Sequence, residues 1–363
     1  MDKIKLLSGS ADEVGLQLQE NVDRMVNTTR RWAEILTYDP QPQTGLTPKD
    51  TIWRKNKARL YRYSGDREVK YRTPLLFIYA LINKPYILDL YPGMSLIEYL
   101  VEQGFDVYMF DWGEFNWEDR HLGYGELVSD YIARAVQKVS QFSQQPSISI
   151  AGYCMGGTMT TMYASLYPQP EIKNIIYLAA PINFEEAGLS GTWLESPGFD
   201  PEKVVETYGL IPKDFIDTGV KMLRPVNNFV GTYTRLWKSL DEGMPVEAWR
   251  ALNKWVNDNI NFPGEAYRQW IKELYQENKL IKGQFRIKGR QVKLEQIKSS
   301  LLVLAGENDH LVLPQQTRAI LELSSSKDKT YQSFPVGHGG LVFGSYAKRE
   351  VYPVISSWLA ERS

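Results

Sequence analysis

From about residue 57 the chain alternates short apolar runs with stretches of helical periodicity. Residues 75–81 (LLFIYAL) and 107–111 (VYMFD) are the first such runs, and 147–151 (SISIA), 174–180 (NIIYLAA), 301–305 (LLVLA) and 330–334 (TYQSF) repeat the signature. Short runs of this kind, mostly apolar, predict strands covered on both faces. Helical patterns occupy 94–103, 124–144 and 314–323 between them. Strands that alternate with helices predict a mostly parallel, doubly covered sheet.

The alternation stops between about residues 182 and 290. That stretch carries amphipathic helical patterns and many aromatics, among them Trp193, Tyr208, Phe215, Trp237, Trp249, Trp255, Tyr267, Trp270 and Tyr275. The next strand is expected at 285–294, so 182–290 reads as a mainly helical insertion, a cap, between two parts of the core. At the other end, residues 11–37 predict a helix. Leu18, Val22, Met25, Thr29, Trp32 and Leu36 fall at spacings of three and four and form one mostly apolar stripe. A helix covering the core is the plainer reading of that stripe, and a partner-binding helix is the other. The organisation expected is an N-terminal helical segment (1–44), an α/β core (45–181 and 291–363) and the cap (182–290).

Composition narrows the function. With 42 basic and 43 acidic residues the net charge is −1, which offers no basic face for nucleic acid. A single cysteine excludes an intrachain disulfide and CxxC metal or redox motifs. The N-terminal residues hold no secretory apolar run, and no stretch approaches the roughly 20 apolar residues of a membrane span. A cytoplasmic protein without a bound metal or cofactor is expected.

The chemistry concentrates at Gly152-Tyr153-Cys154-Met155-Gly156-Gly157, the nucleophile-elbow pattern G-x-S-x-G with Cys for Ser. A predicted strand precedes it and a helix from about Gly156 to Leu166 follows. That sharp turn strains the nucleophile, small neighbours avoid collision, and the helix N-terminus favours a thiolate. A buried structural cysteine is the bland alternative, and the strand–turn–helix context speaks against it.

A thiol needs a base, and the chain has three histidines, His121, His310 and His338. In such sheets the triad runs nucleophile, acid, histidine. Asp309 follows the 301–305 strand and His338 follows the 330–334 strand, both at the carboxyl edge that also carries Cys154. His310 is a rival base, but its neighbour Asp309 already fills the acid position. His121 reads as a surface residue, and Glu307, closer to the strand end, is the alternative acid. Backbone N–H groups of Met155 and of Ile82 or Leu81 are the expected oxyanion hole. Cysteine in place of serine points to acyl transfer from a thioester such as acyl-CoA, because thioester exchange keeps the acyl group activated. A cysteine hydrolase (a thioesterase or dienelactone-type enzyme) and an inactive scaffold of this fold are the rival readings.

The same residues resemble the polyhydroxyalkanoate synthases, specifically the catalytic subunits of the two-subunit types. Residues 80–90 (ALINKPYILDL) are similar to the family's segment after the third core strand. Residues 152–158 (GYCMGGT) resemble its cysteine lipase box, and Asp309-His310 and Gly337-His338 its acid and base motifs. Residues 45–49 (GLTPK), 53–57 (WRKNK) and 264–270 (GEAYRQW) look closest to the Bacillus-type (class IV) subunits, with class III the near alternative; the first 40 residues match weakly.

The resemblance implies an α/β-hydrolase fold and polymerisation of (R)-3-hydroxyacyl-CoA, commonly 3-hydroxybutyryl-CoA, into a polyester with release of CoA. Cys154 would hold the growing chain as a thioester and His338 would deprotonate the thiol. Asp309 would orient His338 or help activate the attacking hydroxyl. It further implies a smaller second synthase subunit, a homodimer or hetero-oligomer, and association with cytoplasmic polymer granules.

Overall fold

The structure, a computed structural model, describes residues 11–37, 41–63, 68–167, 172–185, 187–196, 198–222 and 245–363. The chain divides into two compact units, Met1–Gln43 with Arg224–Lys254 and Thr44–Leu223 with Trp255–Ser363. Of the expected cap, residues 223–244, Trp237 among them, lie outside the described residues.

The larger unit is built on an eight-stranded sheet. Its strands are β1 (Lys49–Lys55), β2 (Ala58–Tyr63), β3 (Tyr71–Ile78), β4 (Phe105–Asp111), β5 (Ile148–Tyr153), β6 (Ile172–Leu178), β7 (Ser300–Gly306) and β8 (Lys329–Phe334). Their spatial order is β1-β2-β4-β3-β5-β6-β7-β8. From β4 to β8 every pairing is parallel, and β1 and β2 are antiparallel at one edge. The central strands are buried along their length because both faces are covered. Leu75, Leu76 and Ile78 of β3, Ile150 of β5, Ile175 and Ile176 of β6 and Leu301–Leu304 of β7 are fully inaccessible. The six apolar runs are therefore the six strands of the parallel core.

Several expected elements differ in detail. The edge hairpin β1–β2 was not foreseen; its strands KDTIWRK and ARLYRY carry long charged side chains on a solvent-facing surface, which masks the alternation. The run expected to stay extended through Leu81 leaves the sheet at Ile78, and residues 79–84 form a loop. The single helix expected over 124–144 is a short turn, a π-helical segment Leu127–Ile132 and then the helix Ala133–Ser143. The strand expected at 285–294 is two two-residue strands, Arg286–Ile287 and Arg290–Gln291, turned by Lys288 and Gly289 at φ 46° and 78°. Within 182–222 and 255–290 the chain is otherwise mostly helical.

In the smaller unit the helix Ala11–Thr37 forms as its periodicity predicts. Four of its apolar residues are exposed. Leu16, Val22, Met25 and Val26 are 67%, 53%, 66% and 57% exposed. Packing begins near its end, where Trp32 meets Val246 and Trp249.

Candidate active site

The carboxyl edge of the sheet gathers the candidate residues. Tyr153 ends β5, and the helix Met155–Leu166 begins one residue after it ends, so Cys154 is the whole turn. It takes up φ 53° and ψ −128°, a conformation that costs a non-glycine residue about 1–3 kcal/mol. The surroundings hold it there. Its N–H donates to the Leu178 carbonyl at 2.9 Å and its carbonyl accepts from Gly157 N at 2.9 Å.

The small residues around it are required by contact. A Cβ on Gly152 would lie 2.4 Å from Gly157 Cα, and one on Gly156 would lie 2.0 Å from the Ile78 carbonyl oxygen. The elbow is therefore pressed against the end of β3. Gly156→Ala is expected to lower stability by about 3 kcal/mol, because the obstacle is backbone and cannot swing away. A urea denaturation midpoint equal to that of the unsubstituted protein would contradict this.

Asp309 is 3% exposed. Its Oδ1 accepts from Leu311 N at 2.9 Å and Val312 N at 3.0 Å, and its Oδ2 faces His338 Nδ1 at 2.6 Å. The loops carrying acid and base are tied together, since Glu307 N donates to the Phe334 carbonyl at 2.8 Å and Asn308 N to that of Val336 at 3.1 Å. Cys154 lies close enough to His338 to act on its charge. With Nδ1 occupied by Asp309, Nε2 is the nitrogen left for the sulfur.

Electrostatics follow this geometry. Burial works against the charged form of His338, but Asp309 and Cys154 outweigh it and raise its pKa well above the ordinary imidazole value. Burial likewise pushes Asp309 up, and the charge and hydrogen bond of His338 with the two backbone amides bring it below its ordinary value. The Asp309 carboxylate thus favours the protonated form of the His338 imidazole, the form it takes on receiving the thiol proton.

The structure brings Cys154, His338 and Asp309 together and sends the rivals elsewhere. Glu307 is exposed and accepts from Ser333 Oγ at 2.8 Å. His121 is exposed in a turn. His310 is half-buried, and Asp309 is engaged by His338. Met155, at the first position of its helix, has an N–H without an intrahelical acceptor, as an oxyanion donor requires. Leu81 is buried and Ile82 half-buried in the loop after β3, with the Ile82 carbonyl accepting from Ile260 N at 2.9 Å.

Sequence reasoning passed over a ring of buried tyrosines. Tyr79, Tyr124, Tyr153 and Tyr275 all have pKa values raised by burial first, then by repulsion that includes the charge of Cys154. Tyr124 and Tyr275 belong to an aromatic cluster with Trp270, Phe184 and Phe285. For Tyr275 the aromatic wealth of 182–290 was the available signal, but composition cannot say which rings meet. Among the described residues no group of His, Cys, Asp and Glu has the arrangement of a metal site.

A mostly parallel sheet of this order, with a cysteine at its elbow and a histidine and aspartate on the loops after its last two strands, defines the class: an α/β-hydrolase-fold protein of the cysteine kind. Comparison agrees on the fold. The α/β hydrolase fold family matches residues 73–345, and the N-terminal family of poly-beta-hydroxybutyrate polymerase (PhaC) matches residues 24–100. Among solved structures, a protein from Sulfolobus solfataricus assigned as a lipase superposes with a TM-score of 0.54 at 16% identity, over 86% of this chain and 97% of its own. Sequence relatives narrow the class. The poly(3-hydroxyalkanoate) polymerase subunit PhaC of Haloferax mediterranei is 38% identical over 96% of this chain and 70% of its own. The subunit of the same name from Synechocystis is 34% identical over 99% of this chain and 97% of its own, and that of Thiocystis violacea 33% identical over 88% and 90%. The chain belongs to the poly(3-hydroxyalkanoate) polymerase PhaC family.

Proposed function

We propose that this chain polymerises (R)-3-hydroxyacyl-CoA, 3-hydroxybutyryl-CoA in the first place, through an acyl group carried on Cys154. The observation that carries the reading is the His338–Asp309 hydrogen-bonded pair set beside Cys154 at the strained elbow of a PhaC-family protein. In the first half-reaction His338 takes the thiol proton as sulfur attacks the thioester carbonyl. Backbone N–H groups of Met155 and of Leu81 or Ile82 hold the oxyanion. The C–S bond to CoA breaks, CoA leaves with the proton from His338, and Cys154 keeps the acyl group as a thioester.

In the second half-reaction a 3-hydroxyl oxygen attacks that carbonyl, loses its proton to the His338–Asp309 pair and forms the ester. The thioester C–S bond breaks and the leaving sulfur takes that proton back from His338, which restores the thiol and the base for the next cycle. Only side chains and the substrate's own CoA take part. The aromatic residues of 182–222 and 255–290 shield the thioester from water, the competing nucleophile. A smaller second subunit, assembly into a homodimer or hetero-oligomer, and attachment to cytoplasmic polymer granules complete the proposal. No helix among the described residues is long and apolar enough to cross a membrane.

The test is to supply purified protein with 3-hydroxybutyryl-CoA, with and without a co-purified small subunit, and to measure CoA release and polymer together. Polymer in proportion to CoA is expected. CoA release with free 3-hydroxybutyrate as the product, under both conditions, would make the chain a hydrolase instead.

A further inference from the structure

The residue before the nucleophile occupies an open position in the elbow pattern, so the motif assigns it nothing. Here it is Tyr153, 2% exposed, and its ring lies between two parts of the site that are far apart in sequence. On one side it stacks on Tyr79, with centroids 5.5 Å apart and planes 20° apart. On the other it meets the His338 imidazole at 5.0 Å and 43°. Its hydroxyl donates to the His338 backbone carbonyl at 3.3 Å.

Tyr79 is the first residue of the loop that carries Leu81 and Ile82. It is itself fixed: the Trp112 indole donates to its carbonyl at 3.0 Å, and its hydroxyl donates to Asn83 Oδ1 at 3.1 Å. The far end of that loop is held as well, by the Trp255 indole on the Lys84 carbonyl at 2.8 Å. The base loop is held by Tyr153, by the bonds through Asp309 and by the Asn308 N–H on the Val336 carbonyl.

We infer that Tyr153 is a positioning residue: its ring is a spacer that sets the distance between the His338 imidazole and the oxyanion loop, so that base and oxyanion donors keep one geometry around Cys154. The inference rests on the triad reading above. The physical demand is strict, because a displacement of about 1 Å in a reacting constellation costs on the order of 10²-fold in rate. A flat ring suits the task. It has two stiff torsions, resists compression, and gains from aromatic contact with both Tyr79 and His338. The hydroxyl bond, long at 3.3 Å, is the minor part of the device.

The experiment compares Tyr153→Phe, which keeps the ring, with Tyr153→Leu, which removes it. The measurements are kcat and KM with 3-hydroxybutyryl-CoA, thermal midpoint, and the His338 imidazole resonance, one of three histidines in the chain. Tyr153→Phe is expected to stay within about threefold of the unsubstituted kcat. Tyr153→Leu is expected to lose about 30-fold in kcat with KM within twofold, and to broaden the His338 resonance while those of His121 and His310 stay sharp. Rescue by Phe at equal midpoints separates positioning from a fold defect. A Leu variant at full kcat overturns the inference, and so does a Phe variant as slow as the Leu variant. If Cys154→Ala also polymerises, it is the triad reading that has failed; if Cys154→Ala is inactive and Tyr153→Leu is not slowed, the failure is confined to Tyr153.

Discussion

Cys154→Ala is expected to lose polymerisation by on the order of 10⁴-fold or more while keeping its fold. The size of the loss comes from the absence of a substitute. Cys154 is the only cysteine in the chain, and the strained turn at φ 53° presents a single side chain to His338. Alanine is no larger and shares the backbone strain, so the urea midpoint should barely move. Cys154→Ser tests the chemistry more finely. The hydroxyl occupies the same place, but it ionises far less readily, and an oxygen ester on the enzyme has lost the thioester activation that ester formation uses. It should therefore turn over very poorly and accumulate no chain. Iodoacetamide offers an independent check. One equivalent should label one site and remove activity in step, and labelling that leaves polymerisation intact would rule out a catalytic thiol.

What the sequence made legible follows from how each element is stabilised. Five of the six runs became buried parallel strands because strands covered on both faces need largely hydrophobic sequence, whereas β8, at the sheet edge, is buried only at Phe334. Cys154, Asp309 and His338 were legible for a related reason: each follows one of these strands, and parallel strands deliver their following loops to one edge. The β1–β2 hairpin was hidden because it buries one side only, with Ala58 and Leu60 inaccessible but Arg59 exposed between them. Tyr153 was hidden differently. Its function lies in contacts with Tyr79 and His338, some 74 and 185 positions away along the chain, and spacing within a motif carries no trace of such contacts. The exposed apolar residues of Ala11–Thr37 show the limit of periodicity: it predicted the helix and its stripe, but not that Val22 and Met25 would face outward.

His338→Gln is expected to reduce turnover by about 10³-fold and to change how stability depends on pH. In the unsubstituted protein Asp309 titrates below its ordinary value, so its contribution is present above about pH 4 and is lost as pH falls through its folded-state pKa. His338 titrates well above its ordinary value, so its contribution is full below about pH 6.5 and is lost as pH climbs through the raised value. Stability from the pair should therefore be level between those limits and decline on both sides. Glutamine cannot carry the positive charge. The Asp309 carboxylate then stays buried with only the Leu311 and Val312 amides, a loss of about 3 kcal/mol for a broken buried pair. The alkaline decline should disappear with the imidazole, and the acid decline should shrink. Asp309→Asn divides the two roles open to the acid. If it only orients His338, loading of Cys154 and chain growth should slow together. If it also helps to activate the attacking hydroxyl, the first release of CoA should persist while elongation falls by about 10²-fold more. Elongation at the unsubstituted rate in that variant would remove Asp309 from the mechanism altogether, whatever its hydrogen bonds.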